Sequence, residues 1–502
     1  MTRGVRPSSP VLKWALLLLL PLLPFGGAGV VLAAEELDTV LEGFAEEAET
    51  ETEVLEGFEA ETESGETEST EAVLEGFDTA PAAKRTVDTP PGRQWPTWFS
   101  VDGHLRLAAA VNTAHQAPEA GESDWRGLSR LRGEGQLVFD ARMPDDWRLY
   151  LSGTGFYDLA YAINGRDDYS DDLLEDYEAE SELGESYLEG GLNRHLDLKA
   201  GRQIIVWGKS DNIRITDVLN PLDLRAPGLV DVADLRLPVT ATRLDLHGGP
   251  WVLTGAALHE IRFSKLPSAG SDFYPGDGPT PPEAVPDNTL AHTEYALALA
   301  GTFRGWDLAL SWADTYSDLG HLELDPTRPG QVVRKHERLQ QFGLAANWAL
   351  GNWLLKAEAA RIEGLRYFNA PGQRFGRLDL LLGIEYGGWR ESTLSVEVAD
   401  RHILDHQDRL EAAPDGVEAH EPQLVARLSR DLFHDTLNLG ILLSYWGTAA
   451  ENGGLQRYSA TYDINDALEL YLGFVAYQSG ERGQLQGVGD NDRLFAELTY
   501  HF

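Results

Sequence analysis

From Phe99 to Phe502 the chain alternates apolar and polar residues with a period of two, and few folds accept that pattern over such a length. Phe99, Val101, Leu105, Leu107, Ala109 and Val111 fall on one face, and Asp102, His104 and Arg106 on the other. Leu131, Leu137, Phe139 and Ala141 then alternate with Arg130, Arg132, Glu134 and Gln136. After the turn Met143–Asp146, Trp147, Leu149, Leu151, Tyr157 and Leu159 alternate with Arg148, Ser152, Thr154 and Asp158. Strands are predicted near 99–112, 127–143, 147–163, 185–193, 195–206, 239–247, 250–263, 292–303, 306–316, 334–349, 352–366, 376–388, 391–404, 420–432, 436–447, 455–464, 467–479 and 491–502. Short connections, such as Asn193–His195 and Phe433–Asp435, take turns with long ones at 164–184, 207–238, 264–291 and 317–333. A soluble sandwich has no reason to sort its loops by parity. A closed antiparallel membrane barrel does, with short turns on the periplasmic side and long loops outside. The predicted class is therefore an all-β transmembrane barrel of about 18 strands.

Two further features agree with this class. No apolar run after the N-terminus approaches the ~20 residues of a membrane helix, so a membrane span requires a closed barrel. Trp147, Trp251, Trp306, Trp353 and Trp389 sit at or just after short turns, Trp98 opens the first strand and Trp348 flanks a turn. That placement reads as an aromatic girdle at the periplasmic interface. The last strand sets Leu494, Ala496, Leu498, Tyr500 and Phe502 on one face, the terminus that barrel assembly machinery reads.

Residues 1–33 combine Arg3, Arg6 and Lys13 with the apolar run Trp14–Leu23 and a small-residue stretch ending at Ala33, which reads as a cleaved signal peptide. Glu35–Asp78 holds 18 acidic residues and no basic one, so segment 34–78 is expected to be disordered. Within it Val-Leu-Glu-Gly-Phe occurs three times, offering Leu41, Phe44, Leu55, Phe58, Leu74 and Phe77. These are either remnants of duplication on a solvated tether or short motifs that dock a periplasmic partner. Residues 79–96 form a Pro-rich spacer, and the barrel occupies 97–502. Both chain ends are expected on the periplasmic side of the outer membrane.

The net charge of −40 argues against a nucleic-acid partner. The absence of cysteine excludes disulfides, thiolate metal sites and covalent haem in this chain. Neither nucleophile elbows, phosphate loops nor zinc histidine pairs occur, so no enzyme, metal or cofactor is expected. His402 and His406 read as ordinary loop histidines. The acidic run Arg166–Glu185 reads as a solvated loop, or one bridged by divalent ions to lipopolysaccharide.

One stretch breaks the alternation. Arg202, Gln203, Trp207, Lys209, Asp211, Arg214, Asp217, Asn220, Asp223 and Arg225 mix paired charge with apolar residues, which suits burial more than free solvent. Trp207–Arg225 is expected either to fold inward as a pore constriction or to form an ordered external cap. Arg106, Arg130, Arg132, Arg148 and Arg243 face the lumen, as a basic ladder for anionic solutes or as balance for lumenal carboxylates.

The run Gly201-Arg202-Gln203, Trp207-Gly208 and Asp217-Val218-Leu219-Asn220-Pro221-Leu222-Asp223 resembles the signature of a bacterial outer-membrane family known as domain of unknown function 1302. Trp125–Arg132, Phe156-Tyr157-Asp158, Ile163–Tyr169 and Gly489–Arg493 support the resemblance, which covers about 97–502. It implies a porin-like barrel, in a family associated with exporters of the resistance-nodulation-division type and their hydrophobic cargo, and it implies no catalytic residue. The expected function is passage of solute or of hydrophobic or amphipathic cargo, either passively or coupled to an exporter. The alternative is a sheath around a partner such as an electron-conduit cytochrome.

Overall fold

The computed structural model describes residues 96–118, 123–276, 278–481 and 485–502. The signal peptide, the acidic segment and its Val-Leu-Glu-Gly-Phe copies lie outside these residues, so their expected roles are not addressed by the fold.

The described chain closes into one antiparallel sheet of 18 strands. In order they are β1 (Phe99–Asn112), β2 (Gly127–Arg142), β3 (Arg148–Asp158), β4 (Ala179–Asn193), β5 (Leu196–Gln203) and β6 (Val239–Gly248). There follow β7 (Trp251–Leu258), β8 (Glu294–Phe303), β9 (Trp306–Tyr316), β10 (Arg338–Leu350), β11 (Trp353–Leu365) and β12 (Phe375–Trp389). The last third is β13 (Ser392–Leu404), β14 (His420–Leu432), β15 (Leu437–Trp446), β16 (Gly454–Asn465), β17 (Leu468–Gln478) and β18 (Arg493–His501). Each strand pairs with its sequence neighbour, and β18 closes on β1 through the register Leu107↔Leu498. Closure leaves the barrel without an edge strand among the described residues.

The two faces separate as the period-two pattern requires. On β12, Leu380, Leu382 and Ile384 point outward and are exposed, while Asp379 and Leu381 point inward and are buried. Leu105, Leu107, Phe139, Phe342, Leu344 and Leu498 extend the exposed apolar wall around the barrel. Lys356 and Glu358 on β11 and Glu397 on β13 are buried inside. At the turn end, aromatic rings interlock. Phe303 stacks on Trp306 at 4.2 Å, and Tyr386 lies 4.3 Å from Trp353 and 5.1 Å from Trp389.

The strands expected over 195–206 and 334–349 run over Leu196–Gln203 and Arg338–Leu350, and three predicted segments differ more. The strand expected over 147–163 stops at Asp158, and Ala160–Asn164 forms a helical turn (α1). Tyr161 from α1 and Tyr169 pack with Trp125, and Leu173 and Leu174 join that cluster from the short helix α2 (Asp171–Tyr177). Burying these rings outweighs continuing the strand into solvent. The acidic run Arg166–Glu185 is not simply a solvated loop. Its second half begins β4 at Ala179, because Glu180 and Glu182 find cationic partners in the lumen. The strand expected over 250–263 ends at Leu258, where Glu260 and Arg262 turn inward to pair with Arg202 and Glu182. A small separate sheet, Glu283–Ala284 with His321–Leu324 and Val332–Lys335, stands on the loop side.

Candidate functional site

The chain leaves β5 by way of a tight approach to β4. Gly201 has φ of +130°, and a Cβ there would lie 2.3 Å from the Ser186 carbonyl. Only glycine fits such a position. Two residues on, Gln203 is fully buried and its side-chain amide donates to the Ala241 carbonyl at 3.1 Å. The segment from Ile204 to Pro238 then runs into the barrel.

Asn220 ties the two legs of this loop together. Its Oδ1 accepts the Ile205 amide at 2.7 Å, and its Nδ2 donates to the carbonyls of Gln203 at 3.2 Å and Leu237 at 2.9 Å. A buried asparagine with all these partners is satisfied and fixes one conformation. The apolar side of the loop lies on a bed of small residues. Ile205 and Leu219, with Trp207 and Val218, pack on Ala241 of β6, Ala256 of β7, Ala296 of β8 and Ala313 of β9. Farther along, Ile213 and Ile215 pack on Ala360, Leu381, Ala399 and Val425. Inward alanines leave the room that the loop fills.

Across the lumen, wall carboxylates grip the loop backbone. Glu358 accepts the amides of Lys209 at 2.5 Å, Ser210 at 2.7 Å and Thr216 at 3.0 Å, and the Thr216 hydroxyl at 2.7 Å. Glu397 accepts the Ser210 hydroxyl at 2.7 Å and the amides of Asp211 and Asn212 at 3.3 Å. Lys209 reaches Asp307 of β9 at 3.1 Å, Lys356 pairs with Asp211, and Gln341 of β10 donates to the Ile215 carbonyl at 3.1 Å. Inside the loop, Arg214 and Arg236 share Asp217 at 3.1 and 2.8 Å. Charges this buried cost several kcal/mol each when left alone, and here each is ion-paired or hydrogen-bonded.

The loop then reaches the far wall. Asp231 pairs with Arg457 of β16 and, at 2.9 Å, with Arg427 of β14. The Tyr477 hydroxyl of β17 donates to the Pro227 carbonyl at 2.6 Å, and Leu229 enters a cluster with Leu455, Val475 and Phe273. Burial pushes the Asp231 carboxyl up, but Arg457 and Arg427 more than offset it and leave it below its ordinary value. Just before these contacts, Arg225 pairs with Asp223 at 2.6 Å and Glu180 at 2.7 Å. Burial likewise raises Asp223, and Arg225 overcomes it, so this carboxyl is also depressed. The loop thus touches walls on opposite sides of the barrel, at β6–β8 near its origin and at β14–β17.

The predicted residues fall into three groups. Trp207, Lys209, Asp211, Arg214, Asp217, Asn220, Asp223 and Arg225 lie together in this crossing segment. Arg202 and Gln203 lie on β5, before it, and Arg202 braces the wall through Glu182 at 3.1 Å and Glu260 at 2.6 Å. The ladder residues differ among themselves. Arg148 holds Asp140 at 2.7 Å and Arg243 holds Asp245 at 2.8 Å. Arg106 stands 3.6 Å from both Glu134 and Glu497, and Arg132 stands 3.5 Å from Asp158. Among the described residues, Arg130 has no ion pair.

Glu358 and Glu397, which hold the loop, were not singled out by sequence. They sit in plain alternation and look like any lumenal acid. The signal that marks them is the alanine bed beside them, Ala360 two residues after Glu358 and Ala399 two after Glu397. His402, on β13 rather than on a loop, stacks on His420 at 4.2 Å, and His406, on the loop after β13, bonds the Val417 carbonyl at 2.9 Å. Donor atoms of His406, Asp408 and Glu411 lie within 4.8 Å of one another on an exposed loop.

A family model described as protein of unknown function (DUF1302) matches residues 14–502. No curated protein matches the chain by sequence. The structure is similar to OccAB1 of Acinetobacter baumannii, with 11% identity and a TM-score of 0.49 over 80% of this chain and 96% of that one. It is also similar to OccK1 (OpdK) of Pseudomonas aeruginosa, with 11% identity and a TM-score of 0.48 over 80% and 98%. OccK9 (OpdG) of the same organism gives 14% identity and 0.47 over 80% and 98%.

Proposed function

The chain belongs to the DUF1302 family, and from that premise we propose that it is an outer-membrane channel whose crossing loop sets what passes. One observation carries the reading: a closed barrel, apolar outside and charged inside, spanned by a loop that its own walls hold. An exposed band of Leu, Phe and Tyr has no favourable place in water but matches the hydrocarbon of a bilayer. Charged groups inside suit an aqueous path, and a loop anchored on both sides narrows that path at a fixed point.

The cargo is a solute or an amphipathic molecule, and the short-turn end with the N-terminal segment faces the periplasm, where a partner such as an exporter would deliver it. Planar-bilayer recording of the purified protein tests the channel. Stepwise current supports it. A silent barrel that conducts nothing overturns it in favour of a sheath around a partner protein.

A further inference from the structure

Lumenal guanidinium groups in this barrel divide by how closely they hold a carboxylate. Arg148, Arg225, Arg377 and Arg493 hold theirs at 2.7, 2.6, 2.7 and 2.7 Å. Arg130 and Arg132, side by side on the inner face of β2, do not. Arg130 has no partner among the described residues. Arg132 comes no closer than 3.5 Å to Asp158, whose Oδ1 is already engaged by the amides of Leu131 at 2.9 Å and Ala160 at 3.1 Å. The Nε of Arg132 is buried without a hydrogen-bond partner. A half-buried guanidinium left this way calls for an explanation, since such groups normally find acceptors.

We infer that Arg130 and Arg132 form a binding site for the carboxylate group of a small, singly charged solute. Three further observations support it. Arg132 is not loose, because its guanidinium carbon lies 3.6 Å over the Phe156 ring, so its donors are held ready. The register sets Ala110 opposite Arg130 and Ala108 opposite Arg132, so β1 offers no side chain long enough to satisfy them. Two cations face one carboxylate, which leaves one positive charge and selects a monoanion. The planar fork of arginine matches a carboxylate in two parallel hydrogen bonds.

The assignment rests on the channel reading for its biological sense, but its test does not need current. Benzoate binding to the full-length barrel in detergent is measured by isothermal titration. Saturable binding is expected in the parent protein, weakened about tenfold in R130Q/R132Q and unchanged in R243Q, whose arginine is tightly paired. Should the double variant fail to fold, R130Q removes no internal bond and is expected to weaken binding about threefold by itself. No saturable binding by the parent, or equal binding by R130Q, overturns the site. Binding without conductance retains the site and rejects the channel, and conductance without binding does the reverse.

Discussion

Glu358 of β11 accepts the Ser210 amide at 2.7 Å, joining residues 148 positions apart in sequence. The bond fastens the first part of the loop to a wall six strands away from β5, where the loop begins. Around it the same carboxylate takes the Lys209 and Thr216 amides, so the loop presents a concave set of N–H groups and the barrel supplies their anion.

Glu358→Gln should loosen the loop without opening the sheet. Both oxygens of the acid act as acceptors, and the amide turns one into a donor facing N–H or O–H groups. A loss of about 2–4 kcal/mol is expected, since an unsatisfied buried group carries its full desolvation cost. Limited proteolysis within 204–238 should rise while the barrel keeps its compact electrophoretic form. Unchanged cleavage would show that the loop is held elsewhere.

Excising Asp211–Asp223 should raise single-channel conductance, because it removes the bonds of Thr216 to Glu358, of Asp211 and Asn212 to Glu397, and of Asp211 to Lys356. Conductance equal to that of the parent would mean that the loop borders the path without narrowing it.

Acid should release the far anchor. Asp231 titrates below its ordinary value of 3.8 in the folded protein, so its contribution is complete above that value and is lost as the pH falls through the depressed one. Conductance of the parent should therefore change below about pH 4, and Asp231→Asn should show the altered level already at neutral pH. A variant with the parent's profile would remove Asp231 from the anchor.

Two exposed leucines should respond oppositely to charge. Leu382 is 70% exposed in the middle of β12, and Leu290 is 87% exposed in a loop. Leu382→Arg is expected to cost about 2–4 kcal/mol of folding free energy in lipid vesicles, and Leu290→Arg close to nothing. Equal costs would contradict a lipid-facing wall.

Much of this architecture was legible because strand alternation is local. Leu105 and Leu107 against His104 and Arg106 name the face without help from the rest of the chain. The strand that stops at Asp158 and the helix at Ala160 were not, since Tyr161 is pulled out of the wall by Trp125 and Tyr169, contacts that exist only after folding. The acidic start of β4 was hidden for a related reason. Glu180 and Glu182 look like solvent until Arg202, Arg225, Arg262 and Lys265 arrive from three other segments. Within the site, the unusual loop announced itself through paired charges, whereas its wall anchors Glu358 and Glu397 carried no local mark.

The anchors of the crossing loop also impose an order on assembly. The loop lies between β5 and β6, yet the residues that hold it follow much later: Glu397 is 187 positions beyond Ser210, and Arg457 is 226 beyond Asp231. While the chain is being delivered from its N-terminus, the loop must wait with its amides and aspartates in water. It settles only when the second half of the wall exists. The long closure entropy then falls on the final steps, together with the joining of β18 to β1. A chain stopped before β16 would therefore lack both its seam and its crosspiece.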